Sequence, residues 1–141
     1  MGESTVTVFV CVSCRRRIGD CDDAFDLPGP DLAEALRSRL QEGGHAHVVV
    51  TPVDCLAVCK RPCTVALSGA DKWTYLIGDL DPQLHVEEIV ATALSFVASD
   101  NGIVPWRERP ASFRRGVIAR VPPIAVRDDD HLTFILEPMK P

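Results

Sequence analysis

Two tight groups of cysteine, each placed just after a strand-like run, restrict this chain more than any other feature. The first is Cys11-Val12-Ser13-Cys14 with Cys21 following; the second is Cys55-Leu56-Ala57-Val58-Cys59 with Cys63 beyond it. Val6-Thr7-Val8-Phe9-Val10 precedes the first group, and Val48-Val49-Val50 lies shortly before the second. If these runs are adjacent parallel strands, their carboxyl ends lie together. The sulfurs then converge on one pocket, although about 40 residues, roughly one strand–helix–strand unit, separate them. Converging thiolates serve a metal, an iron–sulfur cluster or a redox disulfide.

The 141 residues suit one domain with a core that needs no staples. The opening Met1-Gly2-Glu3-Ser4 has neither the basic start nor the long apolar stretch of a secretory signal, and no apolar run approaches a membrane span. The expectation is a cytoplasmic protein with no membrane partner, whose thiols stay reduced. A net charge of −5 argues against nonspecific nucleic-acid binding.

Periodicity and turn chemistry order the elements. Residues 5 to 11 are rich in β-branched and aromatic side chains and read as a buried strand. Residues 15 to 30, with Gly19, Pro28, Gly29 and Pro30, read as a loop. Asp31 and Glu34 have the spacing of a reciprocal cap, so a helix is expected from there, with Leu32, Ala33, Leu36 and Leu40 as its apolar stripe and Gly43-Gly44 as its stop. His47 to Val53 is a second strand. Thr64 to Leu67 and Lys72 to Ile77, joined by Ser68-Gly69-Ala70-Asp71, form an antiparallel hairpin. Asp81 caps a second helix, with Pro82 at its first position and Leu84, Ile89, Val90, Ala93, Leu94 and Val97 facing inward. The order β-α-β-β-β-α, with a right-handed crossover between the first two strands, predicts an α/β domain with a mixed four-stranded sheet and two main helices. That is the thioredoxin-like layout.

The expected domain spans residues 1–99. Residues 100–141 read as an Arg/Pro-rich C-terminal extension, packed on the domain or used in docking. Arg107, Arg109, Arg114, Arg115, Arg120 and Arg127 there alternate with Pro105, Pro110, Pro122 and Pro123, before the acidic run Asp128-Asp129-Asp130. An extended tail is the plainer reading and an arm for an acidic partner the functional one.

Soft thiolates select zinc, cuprous copper or iron–sulfur clusters. A [2Fe-2S] cluster needs two ligands per iron, which two short-spaced pairs supply: Cys11 with Cys14, and Cys55 with Cys59. Arg15-Arg16-Arg17 and Lys60-Arg61 follow the two pairs and would favour thiolates and an anionic group, or simply be solvated. Cys21 and Cys63 are alternates, Cys21 as partner of Cys11 and Cys63 as a ligand or a buried thiol. Zn2+ on the same sulfurs, stabilising an interaction domain, is one alternative. A thiol–disulfide oxidoreductase using Cys11 and Cys14 is another, although it leaves the second group unexplained.

These residues carry a resemblance. The Cys55-Leu56-Ala57-Val58-Cys59 loop is similar to the second ligand pair of thioredoxin-like [2Fe-2S] ferredoxins. The stretches Val10-Cys11-Val12-Ser13-Cys14-Arg15, Cys63-Thr64-Val65-Ala66-Leu67, Lys72-Trp73-Thr74-Tyr75 and Pro105-Trp106-Arg107-Glu108-Arg109-Pro110 resemble a bacterial family of predicted metal-binding proteins, often encoded near cobalamin-biosynthesis genes. The resemblance implies a one-electron carrier rather than an enzyme, working between a reductase and an acceptor enzyme, with corrinoid metabolism as a candidate setting. A homodimer stays open. Thioredoxin-like ferredoxins usually space their first pair more widely than Cys11 and Cys14, which keeps Cys21 in play.

Other residues have plainer readings. His45 and His47 flank a glycine turn and read as surface residues, and His85 and His131 have no partner motif. Asp79 and Asp81 read as turn and helix cap rather than a catalytic carboxylate pair.

Overall fold

The computed structural model describes residues 5–13, 15–17, 25–58 and 60–124. Strand β1 (Val6–Cys11) forms where β-branched residues alternate inward and outward, with Val6, Val8 and Val10 buried. Two short strands, β2 (Arg16–Arg17) and β3 (Phe25–Asp26), pair antiparallel ahead of helix α1 (Pro28–Glu42). That helix begins earlier than its capping residues predict: Leu27 occupies the cap position without a side-chain bond, and Pro28-Gly29-Pro30 form the first turn. Proline is tolerated there because first-turn amides have no intrahelical partner. Asp31 therefore sits inside the first turn, where its charge suits the helix dipole. Gly43 and Gly44 end the helix, Gly44 at a φ of 72°.

Strand β4 (Val48–Val53) runs parallel to β1, and the hairpin β5 (Val65–Gly69) with β6 (Thr74–Ile77) adds antiparallel neighbours. Helix α2 (Val86–Ala98) starts later than expected. Asp81 instead caps a separate turn, its Oδ1 accepting from the Gln83 and Leu84 amides at 2.7 and 3.1 Å. Leu84 is consequently 73% exposed rather than inward, while Ile89, Val90, Ala93 and Phe96 are buried.

The sheet has five strands where four were expected, in the order β4-β1-β5-β6-β7. The fifth, β7 (Val117–Val121), follows a 3-10 turn at Trp106–Glu108 and a short helix α3 (Ala111–Gly116), and pairs antiparallel with β6. Its run Val117-Ile118-Ala119-Arg120-Val121 lies between Gly116 and Pro122-Pro123, strand punctuation masked by the arginines and prolines around it. Both long helices cover one sheet face, where α1 places Leu32, Ala33, Leu36 and Leu40 against the valines of β1 and β4. Val104 and Phe113 join the same core, and the Val104 amide donates to the buried Tyr75 hydroxyl at 3.0 Å.

At the outer strand β4, the backbone groups of odd-numbered residues bond to β1 and those of even-numbered ones point away from it, as the amides of Val6 and Val12 show by donating to His47 and Val53. Part of this outward row is already engaged. The Val48 amide bonds to His45, Arg37 Nη2 donates to the Val50 carbonyl, and Pro52 has no amide hydrogen.

Candidate metal centre

Strand ends bring the cysteine loops together. Cys11 closes β1 opposite Val53 of β4, and its amide donates to Thr64 at 3.1 Å, just ahead of β5. One residue on, the Val12 amide donates to Val53 at 3.0 Å, and the Ser13 hydroxyl donates to the Asp54 carbonyl. Cys11 Sγ lies 4.0 Å from that carbonyl, immediately before Cys55. Cys63 Sγ lies 4.0 Å from the Cys11 carbonyl. The two groups thus meet at the end of the sheet where β1 and β4 finish.

The described thiols differ in setting. Cys11 and Cys63 are 0% exposed, whereas Cys55 is open to solvent. Burial, reinforced by neighbouring Cys11, pushes the Cys63 thiol up to about 12, so it stays protonated at neutral pH. Cys55 Sγ instead accepts the Ala57 amide at 3.1 Å, a contact that Ala57 makes from a left-handed φ of 63°. An amide aimed at sulfur is the interaction a metal-bound thiolate accepts, so this loop fits a thiolate-held group. Among the described residues, no three His, Cys, Asp or Glu side chains are placed to share one metal ion. Cys14, Cys59 and Cys21 lie outside the described residues.

The basic residues beside the cysteines are not all free charges. The Arg16 fork grips Asp26 at 3.1 and 2.7 Å and reaches Asp81 at 2.8 Å. Arg61 pairs with Asp79 at 2.7 Å. Burial opposes ionisation of Asp81, but the Gln83 and Leu84 amides and the Arg16 guanidinium outweigh it and hold the carboxyl below its usual value. Arg15 and Lys60 are exposed.

Three positioning features have little sequence signal. A Cβ on Gly29 would lie 2.1 Å from the Cys11 carbonyl oxygen, so the first turn of α1 rests directly on the strand end. Asp79 and Asp81, read as turn residues, also hold the two cysteine loops. Of the histidines, His45 and His47 lie at the opposite end of β4, with ring centroids 6.2 Å apart, and His85 Nδ1 accepts the Asp81 amide at 2.9 Å. The His131 and Asp128–Asp130 readings fall outside the described residues.

The mixed sheet, with both long helices on one face and cysteines at the β1 and β4 ends, is a thioredoxin-like fold. It is similar to a thioredoxin-like [2Fe-2S] ferredoxin from Aquifex aeolicus, with a TM-score of 0.55 and 21% identity over 86% of this chain and 98% of that one. The wild-type ferredoxin in a second structure gives 0.53 and 22%, covering 82% and 97%. A cysteine-to-serine variant gives 0.53 and 21%, covering 81% and 98%. The chain belongs to the family described as "Protein of unknown function (DUF1636)", which matches residues 8–123. No curated protein matches it significantly.

Proposed function

We propose that the protein is a one-electron carrier holding a [2Fe-2S] cluster on Cys11, Cys14, Cys55 and Cys59. The meeting of two cysteine-bearing loops at one end of a thioredoxin-like sheet carries this reading. It is supported by the amide-to-sulfur contact at Cys55 and by likeness to solved structures of a [2Fe-2S] ferredoxin. When bound, such a cluster supplies a reversible one-electron couple whose potential depends on hydrogen bonds to sulfur and on exposure. The chain's own residues hold the thiolates, keep Cys11 out of solvent and leave the Cys55 side open to an approaching partner.

A reductase and an acceptor enzyme are the proposed partners, docking through exposed Arg15 and Lys60 and through the arginine-rich segment after residue 100; a corrinoid-reducing enzyme is the candidate acceptor. The proposed compartment is the cytoplasm, and no helix among the described residues is long and apolar enough to cross a membrane. Complete burial of Cys11 disfavours the thiol–disulfide enzyme, whose attacking sulfur must be accessible.

Iron, acid-labile sulfide, zinc and the visible spectrum of protein purified without oxygen test the proposal. Brown protein with about two irons and two sulfides per chain is expected. Colourless protein with about one zinc per chain would replace it with a structural zinc site.

A further inference from the structure

The segment Gly78–Asp81, the first half of the connector between β6 and α2, touches both cysteine loops, and each of its residues does so differently or from a different side. Gly78 lies so close to the second loop that a Cβ there would be 3.0 Å from Arg61 Cβ and 3.1 Å from the Arg61 carbonyl oxygen. The Asp79 amide donates to that same carbonyl at 3.0 Å, and the Asp79 carboxylate takes the Arg61 guanidinium at 2.7 Å. Leu80 exchanges two backbone hydrogen bonds with Cys63, at 3.0 and 3.1 Å. Asp81 turns the other way and takes Arg16 of the first loop at 2.8 Å, while Arg16 also grips Asp26 just ahead of α1.

We infer that Gly78–Asp81 is a positioning element that sets the two cysteine loops relative to each other, with Asp79 and Asp81 acting through Arg61 and Arg16. The inference rests on the metal-site reading above. Alternate carboxylates on one short segment reach an arginine in each loop, two residues from Cys14 in one case and two from Cys59 in the other. The carboxylates bond to arginines, so their effect on the loops passes through Arg61 and Arg16. A site whose ligands come from two separate loops depends on the shell that fixes those loops, and disturbing such a shell costs about 10- to 100-fold in metal affinity.

The test is a Cd2+ titration of the full-length apo-protein under reducing conditions, read by the thiolate-to-cadmium charge-transfer band, beside a thermal melt of each apo-protein. Asp79→Asn and Asp81→Asn are the informative variants. Asparagine tolerates the positive φ of 61° at Asp79 and can still cap the turn at Asp81, so only the charge is removed. Cd2+ affinity about tenfold lower in each, with the apo melt moved by only a few degrees, is expected. Arg61→Met combined with Asp79→Asn should cost no more than the single changes, because both break one pair. Arg16→Lys and Arg61→Lys, which keep charge without the fork, should fall between wild type and the neutral variants. Wild-type band intensity and affinity in every variant would overturn the inference and leave the metal-site reading intact. A wild-type protein with no thiolate–cadmium band would remove both.

Discussion

Arginine is used in two ways in this molecule, at the cysteine end and along the β6–β7 side. At the cysteine end, Arg16 and Arg61 are paired with carboxylates, so their charge is spent within the fold. Along β6 and β7 they are stacked. Arg109 lies 5.3 Å from the Tyr75 ring centre and 5.7 Å from that of Trp106, Arg114 lies 5.9 Å from Trp106, and Arg120 lies 4.9 Å from Trp73. An aromatic face holds a guanidinium without neutralising it. Paired arginines therefore fix loops, whereas stacked ones keep a positive surface around Trp106, which is 58% exposed. The residues that position the site and those that could attract an acidic partner are largely different sets.

The contrast can be broken most forcefully at Gly29. If the cysteine end has no slack, Gly29→Ala should cost about 3 kcal/mol, the upper part of the usual overpacking range, because the added carbon meets backbone rather than a movable side chain. Thermal unfolding should then fall by roughly 10 °C, and a melt within a few degrees of wild type would show that α1 can retreat from Cys11. Arg109→Ala probes the stacked side. It loses a 2.9 Å bond to the Val104 carbonyl, a 3.3 Å bond to the Tyr75 hydroxyl and two ring contacts. A loss of about 1–2 kcal/mol in a denaturant series is expected; no measurable loss would mean that stacking contributes charge without stability.

The smallest effect belongs to the paired side. The Asp81 carboxyl is depressed in the folded protein, so its stabilisation is fully present above the ordinary value of 3.8 and is lost as pH falls through the lower folded value. Asp81→Asn should flatten the acid limb of a stability–pH profile while lowering neutral-pH stability by about 1 kcal/mol or less, since the pair is about a third exposed. An unchanged acid limb would place the acid sensitivity elsewhere.

Much of the fold is legible because short-range rules govern it. Leu32, Ala33, Leu36 and Leu40 recur at helical spacing, and all four are buried. The β-branched runs of β1 and β4 pair in parallel as their crossover requires. Helix starts are less legible: Pro28-Gly29-Pro30 resembles a loop until proline's fit to a first turn is considered, and Asp81 caps a turn rather than the helix itself. At the site, the cysteine grouping is visible in the spacing, but its supports are not. Arg16 and Asp81 stand 65 residues apart, and Arg61 and Asp79 stand 18 apart, so no local pattern announces either pair. The clash that forbids a side chain at Gly29 is likewise a tertiary contact, absent from any window of sequence.

The partly engaged outer row of β4 bears on how the protein behaves when crowded. A bare strand edge is a template on which other chains can add, and proteins commonly blunt it with proline or charge. Here Pro52 withholds a donor and Arg37 covers an acceptor. At the opposite end of the sheet, β7 runs straight into Pro122-Pro123. Strand addition is thus discouraged along β4, and at the other margin Pro122-Pro123 limit how far the β7 edge can extend.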